Sequence, residues 1–253
     1  MEEKKEKKII SADSGEAVGK KVKPAAADTE APQEKKVKQS APVGNAKGLR
    51  IGAVILWLVA IAFEVLAVLI LVGKINLPFM SSRAQLIVML VLDLVCVIIG
   101  SQLWKKANHI DPVSEKNKLK FWLWNNMGLI VCAFAFIPFI ILVLTNKNAD
   151  KKTKVVATVV AVIALLIGGL FSFDWNPVSA EQKQEAVNTI TENVFWSPFG
   201  HVYHTDPDCQ ALNRSDTLTT GSVEQAIAAN RTRLCQFCAK RDNITNLATD
   251  EGE

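Results

Sequence analysis

Hydrophobic positions in this chain fall into long unbroken runs. Four of them, residues 51–72, 84–104, 121–144 and 155–173, are almost wholly apolar. A helix rises about 1.5 Å per residue, so some 20 residues cross a hydrocarbon core of about 30 Å. All four runs are close to that length. A core helix of a soluble bundle shows a polar face at helical spacing. The stretch 155–173, VVATVVAVIALLIGGLFSF, has none. The pattern predicts a membrane all-α region with four transmembrane helices within residues 49–175. Trp104, Trp122, Trp124 and Trp175 stand at the edges of the runs, where an indole ring suits the headgroup level.

The flanking regions have different grammars. Residues 1–48 mix Lys, Glu, Ala and Pro with few large side chains. Such a segment buries too little surface to offset chain entropy, and we expect a disordered tail. Residues 176–194 form a linker. Asn176-Pro177 stops the preceding helix, Ser179 with Gln182 has capping-box spacing, and Ala186, Val187, Ile190 and Val194 recur at helical intervals. An amphipathic helix over about 180–193 follows. Residues 242–253 read as an acidic disordered tail.

Charge adds an orientation. The first 50 residues carry 12 Lys and Arg against 8 Asp and Glu, which accounts for the whole net charge of +4. The rest is balanced, unlike a dedicated nucleic-acid binder, which is basic throughout. With the N-terminus inside, the inner flanks hold Lys35, Lys36, Lys38, Lys47, Arg50, Lys105, Lys106, Lys116, Lys118, Lys120 and Lys183. The outer loops hold Lys74, Arg83, Lys147, Lys151, Lys152 and Lys154. Positive charge favours the cytoplasmic side. The expectation is a multi-pass protein of the cell membrane with both termini cytoplasmic. The four Lys ahead of the fourth run, with Asp174 and Glu181 behind it, pull locally the other way.

The chemistry is concentrated in residues 195–241. His201, His204, Cys209, Cys235 and Cys238 fall within 38 residues, in the pattern His204-x4-Cys209 and Cys235-x2-Cys238. Three thiolates and one imidazole are a closed tetrahedral set for Zn²⁺, with no position left for a catalytic water. Residues 195–204 read as a hairpin. His201 and His204, three apart on a strand, point to opposite faces, and His204 is the nearer to Cys209. Ser222 with Gln225 makes a capping box that opens a short helix over 222–229. A unit of about 50 residues has little core, and a metal would supply the missing stability. A Cys-x2-Cys redox pair lacks its usual βαβ context, and disulfides would leave one of three cysteines over. Structural zinc is therefore preferred to either.

VYHTDPDCQALNRSD, followed by GSVEQAIAANRTRLCQFC, resembles a bacterial module attached to varied membrane and secreted proteins. It has the form Gly-x-Val-Tyr-His-x4-Cys-x2-Leu, then Gly-x4-Ala, then Cys-x2-Cys. The module is more distantly similar to the four-cysteine metal-binding domain of the Ada DNA-repair proteins. The helical part resembles an uncharacterised bacterial family of multi-pass membrane proteins. The resemblance implies a small α+β, zinc-knuckle-like domain with His204, Cys209, Cys235 and Cys238 as metal ligands. His204 stands where Ada has a thiolate, and nothing resembles a methyltransferase domain, so no repair activity is carried over.

Two acids lie inside the apolar runs. Glu64 and Asp93 fall at similar depths if the first two helices form an antiparallel hairpin. Intramembrane carboxyls are costly and often functional. They define a possible proton or cation site, set against a simpler reading as a hydrogen-bonded pair holding two helices together. Cys96 and Cys132 read as small apolar fillers, and Gly168-Gly169 as a point of close helix packing. The triplets at Asn213, Asn230 and Asn243 are read as chance. No Ser/His/Asp set, phosphate-binding glycine loop or His-Glu-x-x-His motif occurs, so an enzyme is not expected. The expected function is a non-enzymatic membrane protein, in contact with lipid, that presents a zinc module to a protein partner. A small transporter or channel component using Glu64 and Asp93 is the alternative. Nucleic acid is not expected as a partner, because Arg231, Arg233, Lys240 and Arg241 read as a solvated face.

Overall fold

The computed structural model describes residues 7–17, 44–76, 78, 80–147 and 149–249. The chain divides into two compact units, one of residues 45–180 and one that joins the N-terminal segment to residues 181–253. The first is helical; the second is small and contains the strands.

The helical unit consists of α1 (Ala46–Leu71), α2 (Ser82–Ile110), α3 (Lys118–Asn125), α4 (Met127–Thr145) and α5 (Lys151–Ser172). Among the described residues, α1, α2, α4 and α5 are long and apolar enough to cross a membrane. Only 28–33% of each apolar stretch is buried within the bundle, and large side chains such as Leu58, Phe134 and Leu166 face outward. That arrangement suits lipid as the surrounding solvent. Asn45, Ser81 and Asp150 cap the starts of α1, α2 and α5, each side chain accepting a backbone N–H of the first turn.

A stripe of small residues runs through an interior otherwise filled by side chains such as Phe136, Phe139, Leu86 and Leu90. Ala46, Ala53, Ala60 and Ala67 recur every seven positions on α1 and are all buried. Seven residues are nearly two turns, so they form one stripe. On α2, Gly100 lets Trp57 approach: an added Cβ would lie 2.6 Å from its Nε1. Gly168 of α5 does the same for α4, because a Cβ there would come within 2.7 Å of Cys132 Sγ. At Gly169 the nearest atom, on Leu129, is at an ordinary 3.5 Å. The close packing expected of the glycine pair thus falls on Gly168. Cys132 is fully buried against it, in the filler role expected.

Several details differ from the sequence expectation. The run 121–144 is not one helix: it is interrupted at Asn126, between α3 and α4, while Pro138 sits inside α4. The Asn125 and Asn126 side-chain amides donate to the Phe121 and Trp122 carbonyls. Such side chains compete with backbone donors and weaken the helix locally. Trp104 does not face the headgroups. It is buried, with ring centroids 5.3 Å from Trp57 and 5.1 Å from Trp124, and its Nε1 donates to the Trp124 carbonyl. Trp122 and Trp175 are exposed. Beside this aromatic cluster the bundle end is polar. Ser172 Oγ donates to Ser101 Oγ at 2.9 Å, and His109 Nε2 lies 3.5 Å from Asp174 Oδ2 with both side chains buried.

The second unit begins with α6 (Ala180–Thr189), four residues shorter than expected. Val194 does not belong to it but opens β2 (Val194–Trp196), where it is fully buried. The β-branched run Thr189-Ile190-Thr191 suits extended chain better than helix. Then come β3 (Val202–Tyr203), β4 (Thr217–Gly221), α7 (Val223–Ala228), β5 (Arg233–Leu234) and α8 (Gln236–Arg241). β4 is central in a three-stranded sheet and is antiparallel to β2. β3 and β5 pair in parallel.

The remaining partner of β4 comes from the far end of the chain. Residues 8–11 form a strand, β1 (Lys8–Ser11), parallel to β4 with Lys8 opposite Thr217 and Ser11 opposite Thr220. The expectation of disorder over 1–48 is corrected here. Ile9 and Ile10 are the only adjacent large aliphatic residues in that segment, and they serve as strand residues. Lys7 Nζ adds a bond to the Pro207 carbonyl. The rest of the expected tail, residues 1–6 and 18–43, lies outside the described residues. The second expected tail is corrected too. Residues 242–249 return to the domain: Leu247 is buried, and Leu234 N–H donates to the Ala248 carbonyl at 3.0 Å. Residues 250–253 lie outside the described part.

Candidate metal centre

Three short segments carry the four potential ligands. The first runs from β2 to the end of β3; these strands belong to different sheets, but an antiparallel bridge joins them, Phe195 and His204 exchanging backbone hydrogen bonds of 2.7 Å in both directions. Tyr203, just before His204, is buried beneath the strand. Burial pushes its hydroxyl well above the usual tyrosine range. His201 is exposed and His204 buried, one on either side of β3.

The second segment is the loop after His204. Asp206 accepts the Asp208 N–H at 2.8 Å, a local turn that swings the chain back to Cys209. Cys209 then opens a 3-10 turn, Gln210–Leu212, whose buried Leu212 plugs the core beneath.

The third segment is β5 and the start of α8. Cys235 caps α8 and Cys238 lies in its first turn, so the x2 spacing turns both thiols to the same side. Cys235 N–H donates to the Tyr203 carbonyl at 2.9 Å, locking this segment to the one that carries His204. The expected capping box of α7 is present: Ser222 Oγ accepts the Gln225 N–H, and the Gln225 side chain accepts the Ser222 N–H. α7 leads through Asn230, with φ of 65°, into β5. Asn243, after α8, has φ of 52°. Asparagine tolerates this left-handed conformation better than most residues, which gives Asn230 and Asn243 a backbone role at helix ends. Loss of the cap in Ser222→Ala should cost about 1 kcal/mol. Thermal melting of the full-length variant checks it, with the C-terminal transition lowered.

These segments bring His204, Cys209, Cys235 and Cys238 together. Their ligand atoms all lie within 4.8 Å of one another, and all four residues are buried. Cys209 Sγ is 3.9 Å from Cys235 Sγ, and Cys238 Sγ is 3.9 Å from His204 Nδ1. Thiolates about 2.3 Å from a tetrahedral zinc sit about 3.8 Å apart, so the cage has the size of a four-coordinate ion. Cys238 is the thiol most favoured to ionise. Hydrogen bonds from Cys235, and then from His204 and Thr205, hold it far below the usual thiol range. Burial pushes Cys209 up. A group able to hold a metal ion is thus present, and it includes no exposed residue.

Arg241 braces the centre from outside. It binds the Asp206 carboxylate and donates to Thr205 Oγ1 at 2.8 Å and to Asp242 Oδ1 at 2.7 Å. The loop after His204 is thereby tied to the helix that carries Cys238. Arg231 is also committed internally, to the carbonyls of Ser197, Pro198 and Ala229. The sequence offered no sign of either role beyond two more positive charges. Glu64 and Asp93 belong to the helical unit, where Asp93 is fully buried and Glu64 half-buried. No family model, curated protein or solved structure matches the chain.

Proposed function

We propose that this is a four-pass protein of the cell membrane that presents a structural zinc domain to the cytoplasm, where the domain serves assembly with a protein partner. The observation that carries the reading is the closed His/Cys/Cys/Cys cage. A buried site with four protein ligands suits a structural ion, whereas catalytic zinc keeps one position for water. Zinc is favoured among metals because it accepts mixed thiolate and imidazole ligands in a tetrahedron. The motif resemblance to the bacterial zinc module supports the same choice. A non-enzymatic role follows from that closure. A protein partner fits better than nucleic acid, because Arg231 and Arg241 are spent on internal contacts.

The side of the membrane rests on two supports. Positive charge is concentrated in the flanks that four crossings would leave inside. β1 and β4 share one sheet, so the chain before the first span and the chain after the last share one side, as an even number of crossings requires. An impermeant thiol reagent tests the orientation. In intact cells Cys209, Cys235 and Cys238 should stay unlabelled even after treatment with an impermeant chelator. Permeabilisation with chelation should label all three. Labelling in intact cells would reverse the topology.

A further inference from the structure

Asp93 lies midway along α2 and is fully buried, and among the described residues neither carboxylate oxygen has a hydrogen-bond partner. The packing register identifies what stands opposite. α1 and α2 are antiparallel: Arg50 reaches Asp111, Gly52 lies against Leu103, and Trp57 lies against Gly100. Seven residues beyond Trp57 is Glu64, and seven before Gly100 is Asp93. Seven residues are nearly two turns, so both return to the shared face at one level.

The surroundings select the ligand. Ala60, Leu90 and Val97 line this level of the α1–α2 face and are buried. Besides Glu64, the ionisable groups on the elements packed here are Cys96 of α2 and Cys132 of α4; α5 has none between Val155 and Ser172. The nearest basic residues on α2, Arg83 and Lys105, are ten and twelve positions away, about 15 and 18 Å along the axis. A hard metal cation needs six or more oxygens, which this apolar wall lacks. A proton needs one. An ionised, unpartnered carboxylate at this depth would be costly, and protonation removes the charge.

We propose that Asp93, with Glu64 beside it, is a proton-binding site in the middle of the helix bundle. Asp93 holds the proton on a carboxylate oxygen, and the less buried Glu64 is the group through which it exchanges. The site is independent of the metal centre.

Infrared spectroscopy of the full chain in lipid vesicles tests this. At neutral pH the parent should show the C=O stretch of a protonated carboxylic acid, shifting on exchange into D2O. Asp93→Asn should abolish the band. Glu64→Gln, at a half-buried position, should keep the band and change its frequency. A parent without the band at neutral pH would overturn the proposal. So would a band that neither substitution changes. If Asp93→Asn does not fold, the parent and Glu64→Gln decide: no band, or a band identical in the two, overturns the proposal.

Discussion

Purified under reducing conditions, the full chain should carry one zinc ion by elemental analysis, and the Cys235→Ser/Cys238→Ser variant should carry none. The expected effect is large because, for a structural ion in a small domain, binding and folding are one event. Structural zinc contributes about 10–16 kcal/mol in small finger domains near neutral pH, which exceeds what a core of this size supplies. The ligands come from the end of β3, the loop beyond it and the start of α8, so losing the ion releases all three. Chelation should therefore melt the strand-containing unit and leave the helical unit folded. Circular dichroism should show the helix signal mostly retained, while exchange protection at β4 and β5 collapses. Acid should act like the chelator. The metal binds thiolates and a neutral imidazole, so its stabilisation is present at neutral pH and is lost as falling pH protonates them. Metal-free reduced protein, or a variant that still holds zinc, would refute the assignment.

Replacing Gly168 by Leu should strongly destabilise the helical unit. Even a Cβ there would sit 2.7 Å from Cys132 Sγ and 3.1 Å from Leu94 Cδ1. Both are packed between helices, so α5 would be pushed away from α2 and α4. Overpacking of this kind costs about 1–3 kcal/mol, and Leu adds three further carbons. Gly169→Ala is the matched control, because its Cβ would make only ordinary contact with Leu129. Gly168→Ala should be partly rescued by Cys132→Ala, which removes the first clashing atom. Thermal unfolding in detergent measures all of these. Equal effects at positions 168 and 169 would show that backbone freedom, not helix contact, sets the need for glycine.

Much of this was legible in the residues, for identifiable reasons. The four apolar helices could be read because lipid imposes a length and forbids polar faces. The clustering of His204, Cys209, Cys235 and Cys238 could be read because thiol and imidazole spacing is sparse and specific. What escaped depended on partners distant in sequence. Trp104 looked like a headgroup anchor until Trp57 and Trp124 were seen to enclose it. His109 meets Asp174, just past the end of α5, only in the fold. Arg241 became a brace only with Asp206 and Asp242 around it. Val194 carried a helical spacing, but Gly221 opposite it made it a strand residue. The two supposed tails were misread because a few aliphatic residues, Ile9, Ile10 and Leu247, sufficed to dock them where a β edge was waiting.

That waiting edge has a consequence for how the molecule is made. β1 leaves the ribosome first and β4 near the end, and their segment is bound by contacts spanning 200 to 212 residues. The sheet must stay incomplete until all of the helical unit, which lies between the two strands in sequence, has been made. A chain that inserted an odd number of helices would strand β1 on the far side and leave β4 with a bare edge. Bare edges invite aggregation and proteolysis. In a four-pass arrangement, closing this one sheet would thus require both segments to reach the same side.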